Sequence, residues 1–284
     1  MNLCNLKTIR EILSEFGTAP KKGFGQNFLI TPAVPERIAE NCCDRRDSII
    51  IEIGPGIGCL TAELAKRYRK VIALELDETL IPVLGRTMAE YPNVTVRQGD
   101  ILKTDLSALL VEEAPDAHVS VCANLPYYIT TPILMYLLES RVALDSITIM
   151  VQAEVAARLT AAPGGADYGA ITASVAYFGA ARRLFTVSAG NFYPAPKVDS
   201  AVVRIDLYKD KPVRPKSEEA FFKTIRAAFG QRRKTLVNAL GAAFPELSKE
   251  TVQSALLACG LDERIRGERL SVGDFAALSD KLFA

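Results

Sequence analysis

The chain has 284 residues, a length that suggests about two domains. Hydrophobic residues make up 49% and charged residues 24%, an ordinary globular profile that excludes a disordered or fibrous chain. With 34 Lys and Arg against 33 Asp and Glu the net charge is +1, so any case for nucleic-acid binding must rest on local clusters. No segment reaches the roughly 18 consecutive apolar residues of a membrane span. Met1–Glu15 lacks the apolar run and cleavage site of a signal peptide. Cysteines at 4, 42, 43, 59, 122 and 259 form no C-x-x-C pair, and His118 is the single histidine, so no metal site is expected. The expectation is a cytoplasmic protein with reduced thiols and no membrane partner.

From Ser48 to Tyr208 short apolar runs alternate with longer helical patterns. Ser48–Ile53, Lys70–Glu75, Asn93–Arg97, His118–Ala123 and Ser146–Val151 read as strands. Leu60–Arg67, Glu78–Glu90 and Pro132–Glu139 read as helices between them. This alternation predicts an α/β layer fold with a mostly parallel, Rossmann-like sheet. Arg183–Ser188 and Ala201–Tyr208 predict a closing antiparallel edge. Lys209–Lys216, with Pro212 and Pro215 among basic residues, reads as a linker. Beyond it the segments Glu218–Phe229, Arg232–Ala242, Lys249–Ala258 and Val272–Leu282 all read as helix. The division is therefore residues 1–208, an N-terminal arm with the α/β domain, and 209–284, a small all-α domain. The second carries a net charge of +4 and the first −3.

The first strand runs into Gly54-Pro55-Gly56-Ile57-Gly58 and then a helix. Gly54 and Gly56 allow a sharp turn and close approach of a ligand. The spacing is not the G-x-G-x-x-G of dinucleotide folds, and Pro55 lacks an N–H that could cradle phosphate, so a ligand without pyrophosphate fits better. A purely structural turn is the alternative. Glu75 ends the next strand, 21 residues after Gly54, where a carboxylate can accept from both hydroxyls of a ribose. Asp77 competes for that role. Asp100 ends the third strand, placed to accept from an exocyclic amine, with Ile101 packing on the base; a turn Asp is the alternative. Acceptors at successive strand ends converge on the crevice where such sheets bind ligands, and together they point to a nucleoside-type cofactor.

The fourth strand ends Asn124-Leu125-Pro126-Tyr127-Tyr128, which resembles the site of class I S-adenosylmethionine-dependent methyltransferases acting on an amino nitrogen of a planar π system. The lone pair of such an amine is delocalised into the ring. The Asn124 side-chain carbonyl and the Leu125 main-chain carbonyl could accept its hydrogens and turn the nitrogen toward tetrahedral geometry. Tyr127 could stack on the extruded base. Three further segments narrow the likeness: Lys21–Leu29 (KKGFGQNFL), Asn191–Ser200 (NFYPAPKVDS) and Phe229–Leu236 (FGQRRKTL). In order, they resemble the bacterial small-subunit rRNA adenine dimethyltransferases, the kasugamycin-sensitivity enzymes, over nearly the whole chain.

That resemblance implies dimethylation of two adjacent adenosines near the 3′ end of 16S rRNA, with S-adenosyl-L-methionine as methyl donor, on an immature small ribosomal subunit; a monomer is expected. It implies that Asn27 and Leu29 close over the cofactor, that Gly54, Gly56, Glu75, Asp100 and Asn124 line its pocket, and that Phe192 flanks the adenine opposite Tyr127. Lys21 and Lys22 beside Phe24 and Phe28 suit single-stranded or flipped RNA, although composition alone favours the alternative of a solvated basic arm. Arg226, Arg232, Arg233 and Lys234 are candidate phosphate contacts, with a solvated face as the alternative. The competing readings are a large-subunit rRNA adenine methyltransferase of the macrolide-resistance type and an assembly factor in which RNA binding outweighs catalysis. An NAD-dependent oxidoreductase lacks both the glycine spacing and a histidine near a hydride site.

Overall fold

A computed structural model describes residues 1–113, 117–140 and 142–283. Nine strands are assigned among them: β1 (Phe28–Leu29), β2 (Ile49–Ile53), β3 (Lys70–Glu75), β4 (Val94–Gln98), β5 (Val119–Asn124), β6 (Ser146–Gln152), β7 (Gly179–Val187), β8 (Phe192–Tyr193) and β9 (Ser200–Leu207). The main sheet has the order β4-β3-β2-β5-β6-β9-β7. β2 through β6 pair in parallel, and β9 runs antiparallel to β6. Central strands of such a sheet are covered on both faces, which is why β2 reads Ile-Ile-Ile-Glu-Ile without alternation and is buried throughout.

Chain progression reverses between β2 and β5, its two neighbours in space. The carboxyl ends of the strands at such a reversal splay apart and leave a crevice. Register sets what lines it: Ile53 lies between Leu74 and Ala123, so Gly54, Glu75 and Asn124 emerge at one level. β1 and β8 form a separate antiparallel pair, with Phe28 opposite Tyr193 and Leu29 opposite Phe192. Two-residue strands are too short to show a period, so this pair is not legible in the sequence.

Two compact units emerge. One comprises Met1–Ala156 with Arg182–Leu207, and the other Ala157–Ala181 with Tyr208–Ala284. The segment Ala157–Ala181, placed with the first domain on sequence, thus belongs to the helical unit. Its Tyr168 and Tyr177 are buried in one apolar cluster with Phe221, Phe222, Leu240 and Phe275. The expected helix at Arg232 starts at Leu236. Gln231–Lys234 is instead a turn, closed by the Lys234 N–H on the Gln231 carbonyl at 2.9 Å. Three other helices of this unit are capped by side chains, at Ser217, Ser248 and Ser271.

Candidate active site

The loop after β2 needs its glycines. Gly54 and Gly56 have φ of +69° and +63°, where a side chain is strained. A Cβ at Gly56 would lie 3.1 Å from the Phe28 ring, whereas one at Gly54 would meet nothing within 4 Å. Gly54 therefore faces open space. That space is a cleft at the strand ends, partly open to solvent. Asn27, Leu29, Gly54, Gly56, Glu75, Asp100, Ile101, Asn124, Leu125 and Tyr127 all line it.

Glu75 is buried at the end of β3. Its Oε2 accepts from the Gly56 N–H at 3.0 Å and its Oε1 from the Asp77 N–H at 2.9 Å. Burial raises its pKa above the ordinary carboxylate value, and these backbone bonds pull the other way. A carboxylate has about four lone-pair positions, so two remain for a ligand diol. Asp77, the competing carboxylate, does not line the cleft. It accepts from Lys21 Nζ at 2.7 Å, Gln26 Nε2 at 2.8 Å and Thr79 Oγ1 at 2.7 Å. Burial opposes its charge, but those bonds prevail and its pKa is lowered. Asp100 keeps a turn role as well, its Oδ1 capping the Leu102 N–H at 3.0 Å.

Sequence reading missed Glu52. It lies inside β2, lines the cleft and is 1% exposed, with Oε2 unpartnered. Burial pushes its pKa up to about 8. An acid in the middle of an isoleucine run was the available signal, because a carboxylate there needs a cationic or donor partner.

At the end of β5 the Asn124 Nδ2 donates to the Asn27 carbonyl at 3.3 Å. A carbonyl can only accept, so this bond assigns the amide and leaves Oδ1 as the acceptor. Neither that oxygen nor the Leu125 carbonyl has a partner among the described residues. Tyr127 is half-buried, its hydroxyl 2.7 Å from Ser200 Oγ. Burial raises its pKa, so it stays a neutral ring. One cleft thus holds glycine turns and buried acids on one side, and two free carbonyl acceptors beside an aromatic ring on the other. It can bind a nucleoside-like cation and orient a planar amine.

Three expectations need correction. Phe192 does not line the cleft; it is 3% exposed and packed in the core with Leu29, Val187 and Val202. Alternation along β8 sends Phe192 inward, so its neighbour Tyr193 is the more exposed of the two. Lys21 is not a free RNA contact, since the buried Asp77 holds its ammonium. Arg232 is tied down within the helical unit, donating to the carbonyls of Ala166 and Tyr168. Lys22, Arg226, Arg233 and Lys234 are exposed, with no ion pair among the described residues. No group of metal-ligating residues occurs among the described residues.

The parallel sheet with its reversed order and antiparallel β9, and the cleft at its strand ends, are those of a class I S-adenosylmethionine-dependent methyltransferase. The family model of the ribosomal RNA adenine dimethylases matches residues 17–282, and the chain belongs to that family. A relative from Geobacillus thermodenitrificans, a ribosomal RNA small subunit methyltransferase A, is 46% identical over 96% of this chain and 94% of its own. The crystal structure of a dimethyladenosine transferase from Plasmodium falciparum shares the fold, with a TM-score of 0.72 and 24% identity over 88% of this chain and 95% of that one. A 23S rRNA methyltransferase, ErmE, superposes with a TM-score of 0.69 and 26% identity over 91% of this chain and the whole of that one. The protein is therefore an rRNA adenine dimethyltransferase, and its cofactor is S-adenosyl-L-methionine. The site fits that cofactor on its own evidence: an open cradle at Gly54 and an unpartnered buried carboxylate oxygen on Glu52, suited to a cation.

Proposed function

We propose that the enzyme dimethylates N6 of two adjacent adenosines near the 3′ end of 16S rRNA, acting as a cytoplasmic monomer on an immature small ribosomal subunit. The near full-length likeness to a small subunit methyltransferase supports the choice of subunit. The observation that carries the chemistry is the pair of unpartnered carbonyls, Asn124 Oδ1 and Leu125 O, beside Tyr127 in the cofactor cleft. Glu75 would hold the ribose, Asp100 the adenine amine, Ile101 the ring face and Glu52 the ammonium, while Asn27 and Leu29 flank the cleft. The cofactor supplies an electrophilic methyl group on a sulfonium sulfur.

The protein's part is orientation. The Asn124 and Leu125 carbonyls accept the two N6 hydrogens and favour the geometry in which the nitrogen lone pair leaves the ring plane. Tyr127 stacks on the base and keeps it in the site. No strong base is required, because a methylated N6 ammonium is acidic and gives its proton to water. In the second transfer one N–H remains, so one carbonyl suffices. Exposed Lys22, Arg226, Arg233 and Lys234 would meet phosphates.

Unmodified small subunits and large-subunit rRNA, each incubated with enzyme and methyl donor and then mapped by mass spectrometry, test this. Modification of two neighbouring adenosines in the small subunit alone is expected. Modification confined to large-subunit rRNA would replace this reading with the macrolide-resistance type.

A further inference from the structure

The bonds that fix Asn124 begin on the far side of the arm, at a carboxylate that does not reach the cleft. Asp77 is 2% exposed and grips the arm twice, through Lys21 Nζ at 2.7 Å and Gln26 Nε2 at 2.8 Å. Thr79 Oγ1 receives a second bond from Lys21 at 2.9 Å, and Gln26 Oε1 caps the Lys21 N–H at 2.8 Å. The arm turns at Gly25, whose φ is +62° and where a Cβ would lie 3.2 Å from the Pro126 ring. Asn27 follows, its own side chain closing on the Gly25 carbonyl at 3.0 Å and its main-chain carbonyl accepting from Asn124. Phe28 and Leu29 are then held by β8. Asn27 is thus bracketed by two anchors, strand pairing on one side and Asp77 on the other.

The two ends of an asparagine amide have the same shape and opposite hydrogen-bonding character. Only the oxygen end can accept from an adenine N6. Without the Asn27 carbonyl in place, Asn124 can turn its NH2 toward the N6 hydrogens, donor against donor.

We propose that Asp77 is a positioning residue for methyl transfer: by clamping Lys21 and Gln26 it holds the Asn27 carbonyl against Asn124 and so keeps the amide oxygen facing the amine. This rests on the role given to Asn124 above. It also accounts for the strand-end carboxylate that does not line the cleft.

The test compares Lys21→Met, Asp77→Asn, their double variant, Lys21→Arg and Asn124→Ala, with the methyl donor varied at saturating rRNA substrate so that kcat and the KM for the donor are separated. Misorienting a positioned group costs about tenfold to a hundredfold, so Lys21→Met and Asp77→Asn should each lower kcat by that order. The double variant should be no worse than the worse single one, because both remove one clamp. Lys21→Arg, which keeps the ion pair, should restore most of kcat. Melting temperature identifies the folded variants, and half-exposed Lys21 allows the Lys21→Met comparison to stand alone. Folded variants with unchanged kcat, or with only KM for the methyl donor raised, would overturn the proposal if Asn124→Ala is inactive. Full activity in Asn124→Ala would instead overturn the underlying reading of Asn124.

Discussion

Glu52 and Glu75 sit on neighbouring strands, both buried, and differ in what meets their oxygens. Glu75 has two backbone N–H partners, while Glu52 has an oxygen with none. The Glu75→Ala variant should lose about 1.5–3 kcal/mol of S-adenosylmethionine affinity by calorimetry, the range for hydrogen bonds to a charged group. Unchanged affinity would remove Glu75 from the site. For Glu52 the consequence is a pH dependence. Its pKa is raised from an ordinary 4.5 to about 8, so between those values the folded state holds a proton that the unfolded state has released. Stability from this group is complete below about 4.5 and is lost as pH rises toward 8. The slope is at most about 1.4 kcal/mol per pH unit for one proton. Urea unfolding across that window should show a fall that Glu52→Gln reduces; buried Glu75 contributes a fall of the same sign, because its pKa is also raised. An identical profile in the variant would mean that Glu52 is ionised in the free protein.

At the scale of elements, the glycine loop and the arm depend on one another. Gly56 brings its backbone to Glu75 and leaves room for Phe28 of β1. Gly56→Ala places a side chain at a left-handed φ, costing about 1–2 kcal/mol, and presses on that ring. Thermal unfolding should report this loss, accompanied by weaker cofactor binding; a neutral effect on both would mean that the loop and arm move freely past each other. The loop, Lys70–Glu75 and Ser146 at the start of β6 are legible in the sequence because buried parallel strands are continuous apolar runs between turn residues. The arm's bonds are not legible, since Lys21 meets Asp77 across 56 residues and nothing local marks the pair. For the same reason the pattern FYPAP shows a loop but not which of its aromatic side chains enters the core. The basic Gln231–Lys234 segment was legible as a cluster but not as a turn. Its geometry divides it: Arg232 is bonded to carbonyls, while Arg233 and Lys234 are free. Removing Arg233 or Lys234 should flatten the salt dependence of RNA affinity by a slope of roughly one or less, with cofactor affinity unchanged. An unaltered slope in a folded variant would make the cluster a solvated face.

For the molecule as a whole, the mostly parallel sheet and the all-helical C-terminal region follow from the apolar patterns, whereas the strand order and the return of Ala157–Ala181 to the helical unit do not. That segment looks like another crossover between strands, and only its burial against Phe221 and Phe275 places it elsewhere. Dimethylation requires one cleft to complete two methyl transfers on the same nitrogen. Digestion of the rRNA product to nucleosides over a full time course, quantified by mass spectrometry, tests this most directly. N6,N6-dimethyladenosine should be the end state, with the monomethyl nucleoside rising and then disappearing. Accumulation of monomethyladenosine alone at full turnover would contradict it.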